Sequence, residues 1–250
     1  MPEIQHLLTG FHVNCDQGSF AFCTVALIRG RNNILVDVGH KGRASLLRES
    51  LAKAQVREED INMVVLTHAH WDHCQNIDMF PNARILIHPR ELEYAKSPKR
   101  PDLATARYFL ASLQGRDVEQ VVEGAEIEPG IKILETPGHT RGHISVLVET
   151  RQGQVAISGD ALPWANSVVT GKPMIIFWDE NEAVESIKKL LNASRVFYPG
   201  HDRAFRLGPG NAVQYISGAD SIRLLLRHDG IGDVTIRVAP DAPTVPTIIG

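Results

Sequence analysis

Apolar positions in this chain fall in short runs separated by glycine, proline and charge, and the period within each run sets the expected element. Residues 20–29 (F-A-F-C-T-V-A-L-I-R) and 33–38 (N-I-L-V-D-V) have the apolar, β-branched character of strands, joined by a turn at 30–32. From 41 to 54 the spacing turns helical and places Leu46, Leu47, Leu51 and Ala54 on one face. Short strands follow at 62–66 and 84–88. Pro89 stops the second, and His88 at its end reads as structural. Residues 89–113 depart from this rhythm. Pro98 and Pro101, a basic run at 96–100 and an aromatic pair, Tyr108 and Phe109, predict either a helical excursion leaning over a site or simple surface helices, with a helix at 103–113.

Strand patterns resume at 131–135, 143–149 and 154–158, the last two joined by a hairpin turn at 150–153. Residues 181–191 predict a helix with Val184, Ile187, Lys188 and Leu191 on its packed face, and 195–198 a last core strand. Beyond it, 210–228 reads as partly helical, 233–238 as an edge strand, and 239–250, with three prolines, as an irregular tail. Strands, helix, strand, excursion, strands, helix, strand, with no repeat and no linker, predict a single layered α/β domain over 1–238.

The chemistry concentrates at 66–74, L-T-H-A-H-W-D-H-C, directly after an apolar run. His68, His70, Asp72 and His73 offer imidazole nitrogen and carboxylate oxygen, the donors a borderline cation such as zinc takes. In an extended segment His68 and His70 point the same way, whereas Asp72 and His73 reach a second centre only if the chain turns. Three further strand-to-loop junctions carry ligand-type residues beside glycine: T-P-G-H-T-R-G-H at 136–143, S-G-D-A at 158–161 and P-G-H-D at 199–202. A carboxylate, Asp37, sits at the end of 33–38.

These elements (D-V-G-H at Asp37, H-A-H-W-D-H at 68–73, P-G-H-T at His139, G-D-A at Asp160, P-G-H-D at His201) resemble the metallo-β-lactamase-fold hydrolases across most of the chain. The resemblance implies a four-layer αββα sandwich with two metal ions, zinc or else iron or manganese, at one edge of the sheets. Carried over by motif, His68, His70 and His139 hold one ion, Asp72, His73 and His201 the other, and Asp160 bridges them. Asp37 then orients a ligand. His143 is expected behind the ligands rather than among them, Cys74 as a buried small residue, and His40, Trp71 and Trp164 as candidates for the pocket wall.

Within the family, His70 stands where a flavodiiron centre has Glu, and Asp160 has no counterpart in the antibiotic-destroying β-lactamases. The interval from Asp160 to His201 is too short for the insertions of the larger nucleases. What remains is similar to the lactonase and glyoxalase II branch, quorum-quenching N-acyl homoserine lactonases in particular, and to the small metallo-β-lactamase domain-containing proteins. The expected reaction is attack on a lactone by a hydroxide shared between two metals, with Asp72 and Asp160 serving the chemistry. A thioester, or a phosphodiester on the same centre, is the alternative substrate. Two features depart from the lactonases: Ala161-Leu162-Pro163-Trp164 replaces the run in which they carry a lactone-contacting Tyr, and their long insertion between the Asp37 and His68 motifs is missing.

Composition bounds the partners. The net charge of −3 announces no nucleic-acid-binding field. Three cysteines argue against a disulfide framework, and neither a leader-like start nor a membrane-length apolar run stands in the sequence. The expectation is a cytoplasmic protein acting on a small molecule, away from membranes, with a homodimer left open.

Overall fold

A computed structural model describes residues 1–15, 18–171, 175–219, 221–224 and 234–237. Its first half runs through β1 (Glu3–Leu8), β2 (Phe11–Cys15), β3 (Gly18–Phe22), β4 (Val25–Arg29) and β5 (Asn33–Val36). Helix α1 (Ala44–Lys53), β6 (Met63–Val65) and a single helical turn, α2 (Trp71–Cys74), follow. Then come β7 (Arg84–Ile87), α3 (Pro89–Lys96), α4 (Phe109–Ser112) and β8 (Val118–Gln120). The second half holds β9 (Glu126–Glu128), β10 (Ile131–Glu135), β11 (Ile144–Thr150), β12 (Gly153–Gly159), α5 (Asn166–Thr170) and α6 (Glu180–Ala193). It continues with β13 (Val196–Pro199), β14 (Ala204–Leu207), β15 (Val213–Ser217), β16 (Ser221–Leu224) and β17 (Val234–Arg237).

Two large mixed sheets form, ordered β1-β4-β5-β6-β7-β8 and β15-β14-β13-β12-β11-β10-β9. Alternation along each strand decides which layer a side chain enters. Ile28, Ile34, Val36 and Val65 of the first sheet meet Ile133, Val146, Val148 and Ile157 of the second in an interior cluster. Their neighbours Leu27, Leu35 and Val64 turn outward onto Leu47 and Leu51 of α1. On the other outer face, Leu147, Ala156 and Phe197 meet Val168 of α5 and Ile187 and Leu190 of α6. The result is helix, sheet, sheet, helix: the four-layer αββα sandwich. No helix among the described residues is long and apolar enough to cross a membrane.

Several elements differ from expectation for physical reasons. The apolar run at 20–29 is two strands, because Thr24 leaves the ladder and donates its N–H to Gly200 O at 2.7 Å. β3 instead pairs with β2 in a separate hairpin. Leu46 is 46% exposed, so α1 packs through Leu47 and Leu51, with Ala54 buried beside them at its C-cap. The face of α6 is rotated by one position: Ala183, Ser186, Ile187 and Leu190 are buried, while Lys188 is exposed. The helix expected at 103–113 begins only at Phe109. Asp102 Oδ1 accepts the N–H groups of Ala104 (2.9 Å) and Thr105 (3.0 Å), and Thr105 bridges to His70 instead of winding on. Where helix was expected at 210–228, the described residues form a short 3₁₀ turn at Pro209–Asn211 and then β15 and β16; 220 and 225–228 lie outside them. β16 pairs with β17. The expected tail at 239–250 lies outside the described residues.

Candidate metal centre

The site residues converge at one end of the two sheets. Asp37 follows β5, His68 and His70 follow β6, His139 follows β10, Asp160 follows β12, and His201 follows β13. Asp72 and His73 sit on the helical turn α2 that follows, which brings the His73 ring within 4.1 Å of the His68 ring, centroid to centroid. Close approach of the loops requires glycine: a Cβ on Gly200 would lie 1.9 Å from Asp160 Oδ1.

Two sets of donors form. His68, His70, His139 and Asp160 each place a ligand-type atom within 4.8 Å of the others, and so do Asp72, His73 and His201. Asp160 joins the sets: its Oδ2 is 3.3 Å from His139 Nε2 and 3.1 Å from His201 Nε2, and its Oδ1 is 3.4 Å from His73 Nε2. Asp72 Oδ2 is 3.6 Å from both His73 Nε2 and His201 Nε2. All seven residues are buried.

Hydrogen bonds on the far side of each ring assign the tautomers. Thr67 has one hydroxyl proton, given to Asp37 Oδ2 at 2.8 Å, so His68 Nδ1–H donates to Thr67 Oγ1 at 3.0 Å. His73 Nδ1–H donates to Asp37 Oδ2 (2.7 Å), His139 Nδ1–H to Ile175 O (2.8 Å), and His201 Nδ1–H to Phe22 O (3.2 Å). His70 is held the other way round, its Nε2–H on Asp102 Oδ2 at 3.3 Å. Each of the five imidazoles therefore keeps one lone pair for the interior. His68 Nε2, His73 Nε2, Asp72 Oδ2 and Asp160 Oδ1 are buried with no hydrogen-bond partner among the described residues, and His70 Nδ1 and His139 Nε2 stand 3.0 Å apart. Inward lone pairs and orphaned carboxylate oxygens repel one another unless cations lie among them. The donor set fits metal.

Electrostatics separate the two sets: the first-set His68 and His139 are pushed down by burial, whereas the second-set His73 and His201 are drawn up, against burial, by the carboxylates beside them. Burial holds His139 down to about 4 and His68 well below the ordinary imidazole value, keeping both neutral. Burial also works against charge on His73, yet Asp72 and Asp160 draw it upward. Asp160 stays well below the usual carboxylate range despite its burial, because His201 and His73 face it. A third cluster, Cys23, Asp37 and His73, has a different chemistry. Asp37 is fully engaged by Thr67 and His73, and burial pushes the Cys23 thiol up to about 12.

His143 stands behind the donors: its Nε2 accepts the N–H of Asp160 at 3.0 Å, and its Nδ1 meets Thr136 Oγ1 at 2.9 Å. Cys74 is a buried free thiol 3.6 Å from Ala69 O. His40 caps the turn at Lys41–Arg43 through Nδ1, and its ring meets Trp71 at 5.3 Å and Phe22 at 4.9 Å. Trp164 is buried, stacked on His12 at 5.8 Å and 6.2 Å from His201. Sequence reasoning missed His12, which the β2–β3 hairpin brings in, and Phe177, whose ring meets His70 at 5.1 Å and His139 at 5.4 Å. It also missed Thr67, Glu91 and Asp102, which tie Asp37, Ala69 and His70 into the site from 22 to 32 residues away in the chain.

A sandwich with buried histidine and aspartate donors suited to metal at its strand ends points to a class, the metallo-hydrolases. Residues 18–201 match the sequence model of the metallo-beta-lactamase superfamily, and the chain belongs to that superfamily. It is 31% identical over 209 residues to metallo-beta-lactamase domain-containing protein 1 of Xenopus laevis, covering 82% of each chain. It is 29% identical over 158 residues to an N-acyl homoserine lactonase of a Bacillus species, covering 61% of this chain and 60% of that one. Among solved structures, a variant of Bacillus thuringiensis AiiA with N-decanoyl-L-homoserine at its active site shares the fold. The TM-score is 0.64 at 20% identity, with 80% of this chain and 92% of that one covered.

Proposed function

We propose that the chain is a dinuclear metal-dependent hydrolase whose substrate is a carbonyl ester, foremost a lactone. The observation that carries this reading is the convergence of seven buried donor residues in two sets joined at Asp160, every imidazole locked with a lone pair inward. His68, His70 and His139 would hold one ion, Asp72, His73 and His201 the other, with Asp160 between them. Imidazole and carboxylate donors suit two zinc ions. When bound, the pair supplies Lewis acidity toward a carbonyl and activates water at neutral pH.

The chain's own groups organise the rest. Asp72 Oδ2, unpartnered between two imidazoles, is placed to take a proton from the attacking water and return it to the departing oxygen. Phe177 packs edge-on against His70 and His139 and gives the first donor set an apolar flank. Support for a lactone comes from relatives named N-acyl homoserine lactonases. In the run where those enzymes carry Tyr, this chain presents Trp164 stacked on His12, so the leaving group meets an aromatic and imidazole wall.

The test is a panel of N-acyl homoserine lactones, thioesters and bis-(p-nitrophenyl) phosphate with zinc-reconstituted protein. Lactone turnover well above the others supports the reading. Turnover of the phosphodiester or thioester alone would replace the substrate, and full activity in the His68→Ala, Asp160→Ala double variant would sink the site assignment.

A further inference from the structure

Behind the first donor set lies a carboxylate that bonds to none of the seven donor residues. Glu91, on α3, is wholly buried. Its Oε1 accepts the N–H of Ala69 at 2.9 Å, and Ala69 lies between His68 and His70. Its Oε2 accepts the Thr140 hydroxyl at 2.8 Å and the N–H of Gly142 at 2.9 Å, on the turn that follows His139. One side chain thus ties together the two segments, remote in sequence, that carry the three histidines of the first set.

The charge on Glu91 is equally specific. Three donors converge on its two oxygens, the pattern of an ionised carboxylate. No ion pair joins it among the described residues, and burial accordingly pushes its pKa upward against those hydrogen bonds and the nearby His70. A buried carboxylate without a counter-charge opposes folding. Where a cation would balance it is the first donor set, since Ala69 and Thr140 adjoin His70 and His139. The second set is held by other means: Asp37 on His73 and the Phe22 carbonyl on His201.

We propose that Glu91 is a positioning residue selective for the first metal: it clamps the His68–His70 and His139 segments into one geometry, and its unpaired charge makes that geometry depend on the cation. The inference rests on the two-metal reading above. Glu91→Gln keeps the volume but sets an NH₂ group against the Gly142 N–H.

The test compares zinc retained per chain under chelator competition, together with thermal unfolding of metal-free and zinc-loaded protein. Wild type is expected to hold two zinc ions at a chelator concentration where Glu91→Gln holds one, with affinity for the weaker ion reduced roughly 10–100-fold, the range seen when the partners of metal ligands are removed. The metal-free variant should melt no lower than metal-free wild type, while its zinc-induced gain in Tm shrinks. His201→Ala alone should keep one tightly held ion, and His201→Ala with Glu91→Gln none. Thr140→Val, which removes a single donor, should give a smaller loss in the same direction and serves if Glu91→Gln does not fold. Equal zinc affinity in variant and wild type would overturn the proposal, as would an equal fall in Tm with and without zinc, the mark of a purely structural residue. If wild type itself holds no zinc, the two-metal reading fails and this one with it.

Discussion

Asp37 Oδ2 accepts the Nδ1–H of His73 at 2.7 Å while its Oδ1 accepts the backbone N–H of Thr67 at 2.8 Å. One carboxylate thereby aims a second-set histidine and anchors the residue that, through Thr67 Oγ1, fixes the tautomer of a first-set histidine. Asp37 does this from a left-handed backbone with φ of +55°, a conformation Asn also tolerates. Asp37→Asn should therefore fold, yet lose the charge that strengthens the His73 bond. Zinc affinity is expected to fall roughly 10–100-fold, with turnover falling in step unless zinc is in excess. Chelator competition measures it, and unchanged affinity would remove Asp37 from this role.

Gly200 meets Asp160 across a gap no other residue can fill. A methyl group there would lie 1.9 Å from Asp160 Oδ1 and 3.0 Å from the backbone of Gly159. Gly200→Ala must displace the carboxylate that joins the two donor sets or part the two loops. Either outcome should cost about 1–3 kcal/mol of stability, as overpacking commonly does. Zinc content should fall more steeply than that loss implies, because Asp160 links the two sets. A variant with two tightly held zinc ions and normal turnover would contradict the placement of these loops.

The strands with apolar β-type runs, and the strand-end junctions that carry His and Asp, were legible in the sequence because both are local patterns. Asp37, His68, His139, Asp160 and His201 each follow such a run directly. Their supports were not legible. Asp102 reaches His70 and Glu91 reaches Gly142 from an excursion with no periodic signal, and neither carboxylate looks different from a surface one until the chain folds. The break at Thr24 was hidden for the same reason: its partner, Gly200 O, lies near the opposite end of the chain. Leu46 and Lys188 show the limit of periodicity, which finds an amphipathic helix more surely than its rotation.

Cys23 and Cys74 sit close to the donors yet should be chemically quiet. Burial pushes the Cys23 thiol up to about 12 and raises Cys74 as well, so almost no thiolate exists at neutral pH. Iodoacetamide at pH 8 should leave the peptides bearing Cys23 and Cys74 unmodified in the folded protein and alkylate both after denaturation. Mass spectrometry of the digested peptides reads the result. Rapid labelling of Cys23 in the native state would show that the hairpin end at Phe22 opens readily or that the thiol is ionised.

His6 gives acid sensitivity away from the metal centre. Burial brings its pKa down from 6.5 to about 4, with the Arg43 cation acting the same way against a hydrogen bond to the Leu8 backbone. Its Nδ1 meets Ser217 Oγ at 3.1 Å, and its ring lies edge-on to Tyr198 at 5.3 Å. Below pH 6.5 the unfolded chain binds a proton at His6 that the folded chain refuses, so stability falls as pH drops from about 6.5 to 4 and is unaffected by this group above that window. The full penalty is roughly 3 kcal/mol at about 1.4 kcal/mol per pKa unit. Other buried imidazoles and metal release also respond to acid, so the informative quantity is a difference. The gap in unfolding free energy between His6→Gln and wild type should move in the variant's favour on going from pH 7.5 to pH 5. A gap that stays constant across that range would show that His6 takes up its proton as readily folded as unfolded.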